Sequence, residues 1–199
     1  MDLELSDKRA IVTGGSRGLG KTIAWQLAAE GVSVAIAARN ADVLNAAAAE
    51  IMGATGSQVV PLVVDMGDDA SVDAMVASGV EALGGADILI NNAATPGGGA
   101  SANVQEISIE RLLSDINIKT GGYLRAARAV SPHMIAKGWG RIISIGGMAA
   151  RVTGNYNAGI RCASVSTLTK NLADELGPKG ISAIAIHPHL LSCCRSDGR

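Results

Sequence analysis

Ala10-Ile11-Val12-Thr13-Gly14-Gly15-Ser16-Arg17-Gly18-Leu19-Gly20-Lys21-Thr22-Ile23-Ala24 places a short apolar run, a glycine-rich turn and the opening of a helix in immediate succession. Glycines let a backbone turn sharply and approach a phosphate closely. The free N–H groups and dipole of the helix that follows favour negative charge. A glycine-rich turn alone is compatible with a purely structural bend, so its meaning depends on what surrounds it.

Outward from this stretch, short β-branched runs alternate with longer Ala-rich segments. That rhythm predicts βαβ units on a parallel sheet. Strands are expected at 9–13, 33–38, 59–64, 87–91, 141–145 and 181–186, each a near-continuous apolar run suited to burial under helices on both faces. Helices are expected at 18–30, 41–52, 69–83, 104–116, 119–137 and 155–176, with Asn40 before one and Gly31 after another as caps. Phe is absent and aromatics are 2% of the 199 residues, so the core must be built from Ala, Val, Ile and Leu.

A net charge of −1, from 17 basic and 18 acidic residues, gives no broad electrostatic footprint for nucleic acid or an anionic membrane. The N-terminal residues do not read as a secretory signal, and no apolar run reaches the ~18 residues of a membrane span. A cytoplasmic location is the default expectation. Cys162, Cys193 and Cys194 have neither disulfide nor zinc spacing and are read as reduced thiols. No metal site is expected.

The turn has the spacing Thr13-Gly14-x-x-x-Gly18-x-Gly20, which resembles the classical short-chain dehydrogenase/reductase family. Four further segments match that family in order: Asp65 in Val63-Val64-Asp65-Met66, Asn91-Asn92-Ala93-Ala94, Asn117 in Asp115-Ile116-Asn117-Ile118, and Gly140-Arg141-Ile142-Ile143-Ser144-Ile145-Gly146. Together they cover roughly residues 7 to 188. The resemblance implies a three-layer, doubly wound Rossmann sheet of order 3-2-1-4-5-6. It also implies a homo-oligomer and a nicotinamide cofactor held by Gly14, Ser16, Arg17, Gly18, Leu19, Gly20, Arg39, Asn40, Asp65, Met66, Asn92, Ala93 and Ala94.

An acidic residue ending the second strand would bind a ribose 2′-OH, whereas a basic one accommodates a 2′-phosphate. Here that strand ends Ala37-Ala38-Arg39-Asn40, with Ala38 where NAD-type members carry Asp, and Arg17 adds a second cation. Two guanidinium groups near one dianion favour NADP(H) over NAD(H). The plainer reading is two solvated surface arginines.

The family's catalytic Ser, Tyr and Lys are not in their usual slots. Ungapped alignment of Leu168-Thr169-Lys170-Asn171-Leu172 puts Ala158 in the Tyr slot and Cys162 in the Lys slot, and the Ser slot falls on Gly147. Two readings follow. In one, Tyr156 donates the proton, assisted by Arg161 and Asn117, with Ser144 or Thr153 replacing the Ser. In the other, there is no relay and Tyr156 is a helix-start aromatic. Lys119 and Lys170 read as exposed helix cations, and His133, His187 and His189 as structural or surface residues.

The resemblance ends at Pro188, which makes 1–188 one nucleotide-binding domain and 189–199 an irregular tail. A shortened chain lacking the family's seventh strand is the expectation. Three functions remain open: an NADP(H)-dependent oxidoreductase acting on a carbonyl or hydroxyl of a small organic substrate, a nucleotide-binding homologue without turnover, and an inactive fragment.

Overall fold

A computed structural model describes residues 3–95 and 103–188. The apolar runs form six strands, β1 (Arg9–Thr13), β2 (Ser33–Ala38), β3 (Val59–Val63), β4 (Ile88–Asn91), β5 (Gly140–Ile145) and β6 (Ile181–Ile186), all parallel in the order β3-β2-β1-β4-β5-β6. Between them run α1 (Gly18–Ala29), α2 (Ala41–Thr55), α3 (Asp69–Leu83), α4 (Ile109–Ile116), α5 (Gly122–Lys137) and α6 (Tyr156–Leu176).

Successive strand residues point to opposite faces, so one strand feeds two cores. Val12 and Ile36 pack with Ala24 and Ala28 of α1 and with Leu44 and Ile51 of α2. Ile11, Leu89 and Ile142 pack on the other face with Val76 of α3, Val130 of α5 and Leu172 of α6. Each Val, Leu or Ile side chain so buried contributes about 1.5–3 kcal/mol. Tyr123 of α5 is the largest fully buried side chain, and its hydroxyl donates to the Ile145 carbonyl at 3.0 Å. That bond fastens α5 to the end of β5. At the opposite end of the strands, where β1 and β4 begin, the buried Asp87 carboxylate accepts from Arg9 Nε and Lys137 Nζ, each at 2.7 Å.

Helix ends follow the expected chemistry. Asn40 caps α2 through Val43 N–H, and Gly56 ends it in the left-handed region, three residues later than expected. The helix predicted over 104–116 is broken in two. A 3₁₀ turn at Val104–Glu106 ends before Ser108, whose hydroxyl accepts from Arg111 N–H and starts α4. The expected gap after Ile116 closes instead through a π-helical segment, Asn117–Gly121, that runs on into α5.

Burial under helices on both faces describes β1, β2 and β4. It does not describe β6, where Ser182, Ile184 and Ile186 are exposed while Ile181 and Ala183 are buried. The glycine-rich loop residues 96–102, and the tail 189–199 with Cys193, Cys194 and His189, lie outside the described residues. Among the described residues, no helix is long and apolar enough to cross a membrane.

The C-terminal ends of β1 and β4 are tied together by one side chain. Thr13 Oγ1 donates to the Ile90 carbonyl at 3.2 Å and accepts from the N–H groups of Asn92 and Ala93 at 3.0 and 3.2 Å. Thr13→Val keeps the shape and leaves those groups without this partner. A loss of about 1–3 kcal/mol is expected, seen in thermal denaturation as a fall of about 2–4 °C per kcal/mol. An unchanged melting temperature would show that the hydroxyl does not hold the two strand ends together.

Candidate active site

The glycine-rich turn emerges from β1 with Gly14 N–H donating back to the Ala37 carbonyl at 2.7 Å. Gly14 adopts φ +68, and a Cβ there would sit 2.8 Å from Asn92 Nδ2. A Cβ on Gly20 would meet the Gly14 carbonyl oxygen at 2.2 Å, so the first turn of α1 can lie against the loop only without a side chain there. Asn92 Nδ2 donates to the carbonyls of Thr13 and Gly14, holding the loop from the β4 side. Arg17 is the extended N-cap of α1 and gives the helix no side-chain cap. The first-turn N–H groups at Gly18, Leu19 and Gly20 are therefore left for a phosphate. Ser16 is half-buried beside them.

A crevice lies along the switch in strand order, lined by Ala38, Arg39, Asp65, Met66, Ala93 and Ala94, with Ile118 of the π segment closing one side. Arg39 and Asp65 are exposed at its rim and Met66 is buried beneath it. Asp65 Oδ1 accepts from Gly67 N–H at 2.9 Å. Of the thirteen residues expected at a cofactor, Asn40 has another employment, because its side-chain oxygen caps α2. A bare helix N-terminus, a loop that a Cβ would fill and an adjoining crevice together fit a dinucleotide.

The expected relay residues do not converge. Ser144 is wholly buried within β5 opposite Asn91, and both Ser144 Oγ and Asn91 Oδ1 lack a hydrogen-bond partner among the described residues. Asn117 donates from Nδ2 to the Gly67 carbonyl at 3.2 Å, and its Oδ1 accepts from Arg125 Nη2 at 2.8 Å. Tyr156 is 49% exposed at the start of α6 and shares a pocket of about 490 Å³ with Thr153, Ala149 and Ile160. That pocket and the crevice have no lining residue in common. Arg161 turns the other way, donating to the Thr95 carbonyl at 3.1 Å and pairing with Asp115 at 3.7 Å.

The slots that would carry the Ser and Lys do meet. A Cβ on Gly147 would lie 3.1 Å from the Cys162 sulfur. Beside them stands a residue whose sequence reading was wrong. Lys119 is 5% exposed rather than a surface cation, and its ammonium donates to the Gly146 carbonyl at 3.0 Å. Burial, with the neighbouring Arg161 adding to it, pushes its pKa below the usual lysine value, while Cys162 acts in the opposite direction. Lys170 is exposed, as expected.

His187 has a structural role, as expected. Its Nδ1 lies 3.2 Å from Gly147 N and its Nε2 lies 3.0 Å from Ser166 Oγ, so it braces the turn after β5. Sequence reasoning missed the burial of Lys119 and the pairing of Asp115. The four-residue spacing of Asp115 and Lys119 was the available signal, because it sets both on one helical face. Cys162 is a buried free thiol, and no metal-holding cluster of His, Cys, Asp or Glu exists among the described residues.

Comparison with known proteins agrees with this architecture. A family model described as short chain dehydrogenase matches residues 8–195, seven residues beyond the point where the motif resemblance stops. The chain is 40% identical over 182 residues to 2-dehydro-3-deoxy-L-rhamnonate dehydrogenase (NAD(+)) of Sphingomonas sp. (strain SKA58), covering 90% of this chain and 70% of that one. The structure of L-sorbose reductase from Gluconobacter frateurii complexed with NADPH and L-sorbose is similar with a TM-score of 0.89 and 33% identity, over 96% of this chain and 72% of the reductase. NAD+-bound xylitol dehydrogenase is similar with a TM-score of 0.88 and 30% identity, over 94% of this chain and 71% of that one. By sheet order, phosphate loop and family match, the chain belongs to the short-chain dehydrogenase family of NAD(P)-dependent oxidoreductases.

Proposed function

We propose that the chain binds NADP(H) in preference to NAD(H) and exchanges hydride with a carbonyl or hydroxyl carbon of a small organic substrate. The observation that carries the cofactor preference is the state of two arginines. Arg9, Arg125, Arg128 and Arg161 are all engaged in ion pairs. Arg17 and Arg39 are exposed at the phosphate loop and the crevice rim, with no ion pair among the described residues. Ala38 stands where a carboxylate would repel a 2′-phosphate.

The two comparison structures hold NADPH and NAD+ respectively, so kinship alone leaves the choice to these side chains. When bound, the nicotinamide ring supplies or accepts the hydride. The first-turn N–H groups of α1 would receive the pyrophosphate, Asp65 and Met66 would border the adenine, and Arg17 and Arg39 would hold the 2′-phosphate. Arg39→Asp is expected to lower the NADPH-to-NADH affinity ratio by about tenfold or more, measured by nicotinamide fluorescence titration at one ionic strength. An unchanged ratio would sink the assignment.

A second reading, cofactor binding with little turnover, is favoured by Tyr156. Its exposure, the separate employments of Arg161 and Asn117, and the burial of Ser144 within β5 leave no assembled proton relay around it. Tyr156→Phe should therefore keep any reductase rate within about twofold of the parent. A fall of about 100-fold or more, the scale of a lost general acid, would make Tyr156 the donor.

A further inference from the structure

The slots that would carry the relay are filled by small residues, Ala158, Cys162 and Gly147, and two cations lie near them: Lys119 donates to the carbonyl of Gly146, next to Gly147, and interacts electrostatically with Cys162 and Arg161. Lys119 comes from the π segment and Arg161 from α6, and both are more than nine-tenths buried. Asp115 is the one carboxylate paired with either among the described residues, and it stands at 3.7 Å from Arg161. By ordinary ionisation the cluster carries one more positive charge than negative.

Its donors are also underused. Arg161 spends Nη1 on the Thr95 carbonyl, while Nε is buried with no hydrogen-bond partner among the described residues. The Lys119 ammonium has three hydrogens and one acceptor among the described residues, the Gly146 carbonyl. A buried charge left with unspent donors is costly. The same arrangement becomes favourable when an anion supplies the missing acceptors, because charge-assisted hydrogen bonds are about twice as strong as neutral ones.

The position is specific. Lys119 Nζ is fixed on Gly146 and Arg161 Nη1 on Thr95, so the cluster spans the backbone just beyond β5 and β4. Thr95 also lines the crevice assigned to the cofactor. Ligands in open parallel sheets bind outside these carboxyl ends.

We infer that Lys119 and Arg161 form a carboxylate-binding site, and that the substrate is a small hydroxy or oxo acid held there by its carboxylate. The inference rests on the proposed cofactor reading only for the hydride chemistry; the anion site stands on its own geometry.

The test is calorimetric titration of the chain with acetate, (R)- and (S)-lactate and 2-oxobutyrate, against acetamide and lactamide, at constant ionic strength. It is run with and without saturating NADP+. At least one carboxylate should bind about tenfold or more tightly than its amide. Lys119→Met should remove that difference, and Lys119→Arg should retain most of it, with circular dichroism confirming that both are folded. The NADP+ affinity of Lys119→Met should stay within about twofold of the parent. Carboxylates and amides binding alike, or no carboxylate binding in either state, overturns the site. A discrimination that survives Lys119→Met overturns the assignment to Lys119. Failure of NADP+ to bind counts against the cofactor reading alone, because the nucleotide-free titration still reads the anion site.

Discussion

The Thr13 hydroxyl and the Asn92 amide hold the site together. Between them they join the end of β1, the glycine-rich loop and the segment leaving β4 through five hydrogen bonds of 3.0–3.2 Å. The strand order reverses at this junction: β1 continues outward to β2 and β3 on one side and to β4, β5 and β6 on the other. A cleft must open where neighbouring crossovers diverge, and the glycine-rich loop is pinned at its mouth. Glycine at positions 14 and 20 is required for the same reason, since any Cβ would strike the backbone or amide that does the pinning. The apolar layers on both faces supply the stability, and this polar clamp directs it to one place.

Beyond the clamp, the two halves of the cleft differ in character. The half proposed for the nucleotide has helix N–H groups without a side-chain cap, arginines at its rim with no ion pair among the described residues, and a lined crevice. The other half has lost bulk at three positions and gained buried charge, with Lys119 on Gly146, Arg161 on Thr95 and His187 bracing Gly147. Hydride exchange needs a polarised carbonyl oxygen, and preorganised donors in a dry site do this more effectively than in water. The buried cations are the groups here with donors to spare.

Much of the fold was legible because parallel strands buried on both faces leave long apolar runs, and because Asn40 and the phosphate-loop glycines announce helix boundaries. The errors lie where local pattern stops being decisive. The run 104–116 reads as one helix, yet Ser108 finds a better use as a cap than as an interior residue. Lys119 was misplaced because Asn117–Gly121 is π-helical and continuous with α5, so the sequence break expected before it does not exist. At a helix start it would face water, but inside the joined helix it faces α6. The geometry of the glycine-rich loop was readable since glycine spacing reports backbone conformation directly. The emptied relay slots were legible in Ala158, Cys162 and Gly147, but the buried Lys119 beside them was not, because it comes from another element and meets Gly146 only in space.

The central claim is that the nucleotide half is a working site although the usual relay residues are gone from the other half. Equilibrium titration of the unmodified chain with NADPH, followed by nicotinamide fluorescence, tests it most directly. Saturable binding of one nucleotide per chain, tighter than NADH under the same salt, is the predicted result. A chain that is folded by circular dichroism and binds neither nucleotide would contradict it.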